Sequence, residues 1–215
     1  MSVTSEKKAA FYAPVEKNIE LYKREFGQIS EERKEALQSL SLFIESKIKA
    51  KEKIELIFIC THNSRRSHIS QIWAQAAAAY YGVPNVVAYS GGTEATAFNP
   101  RAVKAMEEAG FKIKKTSEGT NPVYEVRFAD DAKAINAFSK KYDDDTNPKK
   151  GFCAIMTCSH ADQNCPMVFG AGARISIPYD DPKDFDGTPQ EAAKYAERVH
   201  QIGREILYAF SLIKV

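Results

Sequence analysis

Long apolar runs are missing from these 215 residues. None approaches the roughly 18 residues that a membrane span needs, and the N-terminal stretch MSVTSEKKAAFYAPVEK has no apolar centre of the kind a signal peptide carries. Both absences predict a cytoplasmic protein that does not enter a membrane. Charge of one sign is missing too: 30 Lys and Arg stand against 28 Asp and Glu. They spread along the whole chain without the basic block that tracks a nucleic-acid backbone, so no nucleic-acid partner is expected. Cysteine is scarce. Cys60, Cys153, Cys158 and Cys165 are too few and too clustered for a secreted disulfide framework, and in a reducing compartment thiols that matter are usually catalytic or metal-binding. Internal repeats and low-complexity segments are absent.

What is present suffices for one sizeable core, since 44% of the residues are hydrophobic. Ile19, Tyr22 and Phe26, then Leu37, Leu40, Phe43, Ile44 and Ile48, recur at helical spacing with a break near Gly27, which predicts two helices. IELIFI after the charged KAKEK reads as a buried parallel strand. A helix over about Ser67–Tyr81, a strand VVAYS, a helix from Pro100 to Ala109, strands FCAIMTC and ARISIP, and a last helix capped by Thr188 follow. VYEVRF alternates like an edge strand or hairpin, residues 130–141 read as a helix, and YDDDTNPKK reads as an exposed loop. Strands alternating with helices predict an α/β three-layer sandwich around a four-stranded parallel sheet. The expected division is an N-terminal helical extension over 1–53 and an α/β domain over 54–215 with an insertion near 117–150. The extension is expected to pack on the sheet or to join two copies as a homodimer.

In such a sheet ligands bind beyond the carboxyl ends of the strands. There IFICTHNSRRS places Cys60, followed by a loop of Thr61, His62, Asn63, Ser64, Arg65 and Arg66, with Ser67 opening a helix. Successive backbone N–H groups and the positive helix end make such a loop a trap for an oxyanion. Arg66 supplies a planar two-pronged donor for two oxygens of a tetrahedral guest, and the same field favours the thiolate of Cys60. Asn63 suits holding the loop's shape through side-chain bonds; Ser67 either hydrogen-bonds the sulfur or caps the helix. A thiolate attacking an oxyanion also needs an acid for the departing oxygen. SIPYDDPKDFDG emerges on the same sheet edge and holds the candidates.

CTHNSRRS resembles the phosphate loop of the low-molecular-weight protein tyrosine phosphatase superfamily, which includes the thioredoxin-coupled arsenate reductases. VVAYSGG, NPRAVKAMEEAG and YDDP are similar to that family's second strand, second helix and acid loop in the same order. The resemblance runs from about residue 54 to the C-terminus, and residues 1–53 have no counterpart in compact members. It implies Cys60 as nucleophile, Arg66 as oxyanion clamp and Asp181, directly before Pro182, as the acid; Asp180, Asp184 and Asp186 then read as turn residues. CSHADQNCP resembles the Cys-x6-Cys-Pro segment of the reductases. That implies a disulfide relay from Cys60 to Cys158 to Cys165, with thioredoxin as the reductant and no cofactor. Cys153, inside a strand, reads as a core residue.

Three alternatives stay beside the reductase. Hydrolysis of a phosphomonoester through a phosphocysteine at Cys60 uses the same Cys60, Arg66 and Asp181. A non-catalytic oxyanion-sensing module would use the loop alone. A zinc site at Cys158, His160 and Cys165 has the wrong spacing and lacks a fourth ligand. His62 stands where relatives commonly have glycine, and Arg65 where the reductases have another cysteine. Gln71 replaces a carboxylate that helps such reductases hold potassium, so no metal site is carried over. The acid loop also lacks the tyrosine pair that walls in a phosphotyrosine ring in many of the phosphatases.

Overall fold

The computed structural model describes residues 9–165 and 167–214. Its centre is a four-stranded parallel sheet in the order β2-β1-β6-β7, made of β1 (Ile54–Cys60), β2 (Val86–Gly92), β6 (Cys153–Met156) and β7 (Ala173–Ser176). β1 is the second strand of the sheet and every residue in it but Glu55 is buried, which explains the apolar run from Leu56 to Cys60. All four strands point the same way, so Cys60, Gly92, Cys158 and the segment after Ser176 come out on one edge.

Alternation along β1 divides the core. Leu56 and Phe58 face a large cluster with helices α3 (Arg66–Tyr81) and α6 (Glu191–Ser211), whereas Ile57 and Ile59 face a smaller one with helix α5 (Ser159–Asn164). The helices α1 (Ala13–Arg24) and α2 (Glu31–Ala50) pack on α6 and bury Val15, Ile19, Tyr22, Leu37, Leu40 and Ile44 in the large cluster. α1 crosses close to Gly203 of α6, where a Cβ would come within 2.8 Å of both Trp73 and Tyr22. Helix α4 (Pro100–Glu108) starts as expected, with Asn99 accepting the N–H of Arg101 at 2.9 Å.

Residues 112–137 form a second, antiparallel sheet of β3 (Lys112–Lys115), β4 (Tyr124–Arg127) and β5 (Ile135–Ala137). The helix expected over 130–141 is therefore corrected. Ile135 and Ala137 alternate inward around exposed Asn136 and pair with β4, while Asp131 accepts the N–H of Ala10 at 3.0 Å. Non-local pairing overrides the helix preference of this Ala- and Lys-rich stretch. Thr188 also stands off from its expected role. α6 begins at Glu191, and the Thr188 hydroxyl closes the turn before it by accepting the N–H of Gln190 at 3.3 Å.

β2 is an edge strand, but side chains cover its outer edge. Gln75 donates to the carbonyl of Val86 and accepts the N–H of Ala88, both at 3.1 Å. Gln71 donates to the carbonyl of Ala88 and Asn147 to that of Ser90, also at 3.1 Å. Among the described residues no helix is long and apolar enough to cross a membrane.

Candidate active site

The loop after Cys60 is fastened from behind by neutral hydrogen bonds. Asn63 has φ of 45°, a left-handed conformation that Asn tolerates. Its side-chain oxygen accepts the N–H of Lys140 at 2.8 Å, and its Nδ2 donates to Ser67 Oγ at 2.8 Å. Because Asn63 donates into that hydroxyl, the Ser67 proton is left for Cys60 Sγ, 3.1 Å away. The helix starts at Arg66, with Arg65 as its cap residue, so Ser67 bonds the sulfur rather than capping.

Below the loop lies Gly92, paired with Cys60 across β1 and β2. A Cβ there would come 2.7 Å from Asn63 N and Thr61 O, so only glycine fits. The following residues tie the loop down, Thr93 N–H donating to Cys60 O at 3.2 Å and Glu94 N–H to Thr61 O at 2.8 Å. In the sequence the Gly pair of VVAYSGG signals only a turn; its second member turns out to be the floor of the site.

Deeper still sits His68, fully buried and stacked on Phe98 at 4.3 Å between ring centres. Its Nδ1 is 3.1 Å from Ser90 Oγ. Burial, and then the positive Lys140, push the imidazole down to about 3, so it stays neutral. Lys140 is itself lowered to about 8 by burial, its ammonium over the Phe138 ring at 4.3 Å. The sequence reading missed both residues. Lys140 belongs to the insertion, 77 residues from the Asn63 that it anchors.

The front is held by charge. Arg66 donates to Asp181 Oδ2 at 2.7 Å and to the Tyr179 carbonyl at 2.8 Å, while its buried Nε has no partner among the described residues. Asp181 also accepts the N–H of Lys183 at 3.2 Å, opening the short 3-10 turn Pro182–Phe185. Arg65 donates through Nε to Tyr195 at 2.8 Å and through Nη2 to Asp186 at 3.4 Å. Tyr195 in turn donates to Asp186 at 2.8 Å; burial above all pushes its phenol up to about 12. Asp186 is thus more than the turn residue expected from its neighbours. It ties the acid loop to α6 and to Arg65.

His62 is half-buried, its ring 3.7 Å from Glu94, and its carbonyl accepts from Thr96 and Ser139. Ser64 contributes its carbonyl to the N–H of Asn99 at 2.9 Å. No group of three His, Cys, Asp or Glu side chains among the described residues could hold a metal ion.

The remaining thiols differ sharply. Cys158 caps α5, accepting the N–H of Ala161 at 3.3 Å, and its Sγ is 3.5 Å from the Thr61 hydroxyl. Cys165 ends the same helix and shares a buried cluster with Cys60 and Cys158. Pro166, which follows it, lies outside the described residues. α5 is fastened by Arg174, which pairs with Asp162 at 2.6 Å and donates to the Cys165 carbonyl at 3.1 Å. Cys153 is sealed in β6, and burial pushes its thiol up to about 12.

A thiol at the end of the first strand, the loop that follows it, an arginine and a carboxyl paired with that arginine come together as a candidate oxyanion site. The family model for low molecular weight phosphotyrosine protein phosphatase matches residues 55–129. The arsenate reductase of Bacillus licheniformis is 32% identical over 155 residues, covering 72% of this chain and 93% of that protein. The arsenate reductase of Bacillus subtilis is 30% identical over 152 residues, covering 70% and 91%. A low molecular weight protein tyrosine phosphatase from T. tengcongensis aligns in three dimensions with a TM-score of 0.48 and 15% identity, covering 75% of this chain and all of that one. The chain belongs to the low molecular weight phosphotyrosine protein phosphatase family, a family of enzymes.

Proposed function

We propose that the protein reduces arsenate by a three-cysteine relay. Cys60 thiolate attacks arsenic(V), Arg66 binds two of its oxygens, and Asp181 gives a proton to the departing oxygen, which leaves as water. Arg66 and Asp181 hold each other at 2.7 Å; an arriving oxyanion competes for the guanidinium and leaves the carboxyl free to serve as acid. Cys158 thiolate then attacks Cys60 Sγ. The S–As bond breaks with its electron pair on arsenic, so arsenite departs and a Cys60–Cys158 disulfide remains. Cys165 attacks Cys158 next, restoring the Cys60 thiolate. An external dithiol such as thioredoxin reduces the Cys158–Cys165 disulfide.

The observation that carries this reading is the position of Cys158, its sulfur against the hydroxyl of the loop residue next to Cys60, with Cys165 in the same buried cluster. A phosphatase needs neither thiol. The last exchange requires α5 to unwind. Seven residues of helix rise about 10 Å, whereas a disulfide brings its Cα atoms within about 7 Å. One helix of six residues is marginal by itself, so opening it costs little once the Arg174 clamp lets go.

Hydrolysis of a phosphomonoester is the second reading, supported by the shared Cys60, Arg66 and Asp181 and by the family as a whole. One experiment separates them: arsenate-dependent NADPH consumption with thioredoxin and thioredoxin reductase, beside p-nitrophenyl phosphate hydrolysis, in the parent, Cys158→Ser and Cys165→Ser. The relay predicts arsenate turnover that both substitutions abolish. Ester hydrolysis that survives both, without arsenate turnover, makes the protein a phosphatase.

A further inference from the structure

Every step of the relay needs a thiolate, and nothing described so far takes the proton from Cys158. Its sulfur touches the Thr61 hydroxyl at 3.5 Å, and that same oxygen lies 3.2 Å from Nδ1 of His160. The hydroxyl therefore has a thiol on one side and an imidazole nitrogen on the other. Of the two, imidazole is much the better acceptor. The natural order is S–H to Thr61 oxygen and Thr61 O–H to His160 Nδ1, with the second ring nitrogen carrying the imidazole proton. His160 is exposed, so the proton it gains can pass to water.

We infer that His160, acting through Thr61, is the proton acceptor that generates the Cys158 thiolate. The inference rests on the relay proposed above and deepens it. In the transfer Thr61 gives its hydroxyl proton to Nδ1 and takes the one from sulfur. Cys158 becomes a thiolate, His160 an imidazolium, and no other bond changes. The new thiolate then accepts from Thr61 O–H and from the N–H of Ala161, already 3.3 Å from the sulfur. The imidazolium stays one hydroxyl away and stabilises the charge until the sulfur attacks Cys60. Thr61 thereby gains a purpose beyond oxyanion binding, and the histidine between the two outer cysteines gains one without any metal.

Other charges share the mouth with His160. Arg66 comes from α3, Asp180, Asp181 and Asp184 from the acid loop, and Lys194, Glu197 and Arg198 from α6. Asp162 sits on its own helix. Any pH comparison must therefore be made between chains that differ only at 160 or 61.

The test uses the full chain carrying Cys165→Ser, so that one turnover with arsenate stops at the Cys60–Cys158 disulfide. Quenched-flow sampling and mass spectrometry give the rate of disulfide formation from pH 5.5 to 9. In this background His160→Ala should slow it by roughly tenfold or more near pH 7. The deficit should shrink as pH rises, and added imidazole should restore the rate. Thr61→Val should be slow and insensitive to imidazole, while Thr61→Ser should keep the path. A His160→Ala chain at the parental rate overturns the inference. So does a deficit that is constant with pH and indifferent to imidazole, which marks a structural role. Should the parent form no disulfide with arsenate, the relay has failed instead. The proton path is then read from alkylation of Cys158 by iodoacetamide in a Cys60→Ser, Cys165→Ser chain: a pH profile moved upward by His160→Ala supports it, and an unmoved one overturns it.

Discussion

The loop around Cys60 has two differently built sides. Behind it, Asn63, Ser67, His68 and Ser90 are fully buried and joined by short neutral hydrogen bonds, with one lysine held under protest. In front, Arg65 and Arg66 hold the acid loop through ion pairs to Asp181 and Asp186, with the guanidinium groups largely buried and the carboxylates partly open to solvent. Neutral bonds in a dry interior are costly to leave unmade and fix one geometry. Ion pairs whose carboxylates reach water exchange partners more readily, since water competes for the carboxylate. In the proposed mechanism the rigid side holds the sulfur and the front side admits and releases the anion.

The comparison is broken most severely at its common point. Cys60→Ser should lower turnover of either substrate by at least ~10⁴-fold while leaving the thermal midpoint nearly unchanged, as steady-state assays and calorimetry would show. On the front, Asp181→Asn keeps an acceptor for Arg66 but loses the acid, so kcat should fall by roughly 10²–10³ with little change in stability. On the back the balance reverses. Asn63→Ala strands the N–H of Lys140 and should cost about 2–3 kcal/mol in denaturant unfolding, with activity falling because the loop loses its shape.

Lys140→Met sharpens the contrast. The lysine is lowered from 10.5 to about 8 in the fold, so between those pH values the unfolded chain binds more protons and stability rises with pH. Methionine should add up to roughly 2–3 kcal/mol near pH 7, an advantage that fades as pH climbs through 8 to 10.5. His68 acts in the same sense at lower pH. Held at about 3 against an ordinary 6.5, it costs stability as pH falls from 6.5 toward 3. Arg65→Lys, smallest of all, loses the second contact of a planar donor and should change kcat/KM by severalfold at most.

Local pattern made much of this legible. The buried run IELIFI, the Cys-x5-Arg spacing and the Asp before Pro182 are features of neighbours in sequence, and they mark the first strand and the candidate nucleophile, clamp and acid that the structure brings to one edge of the sheet. Asp186, Lys140 and the strand at 135–137 were not legible, because each takes its character from a distant partner. Asp186 meets Arg65 across 121 residues, Lys140 meets Asn63 across 77, and Ile135 pairs with Val126 against the helix preference of its sequence neighbours. Burial of His68 likewise depends on Phe98 and Ser90, which no window around it contains.

The amides along β2 have a bearing on crowding. An uncovered parallel edge is a template on which a second copy can dock strand to strand, and copies added in that way have no natural stopping point. Gln71, Gln75 and Asn147 occupy the hydrogen-bonding positions at Val86, Ala88 and Ser90, and so end the ladder within the molecule. A chain stripped of these three amides could keep its catalytic loop and still be lost to fibres at high concentration.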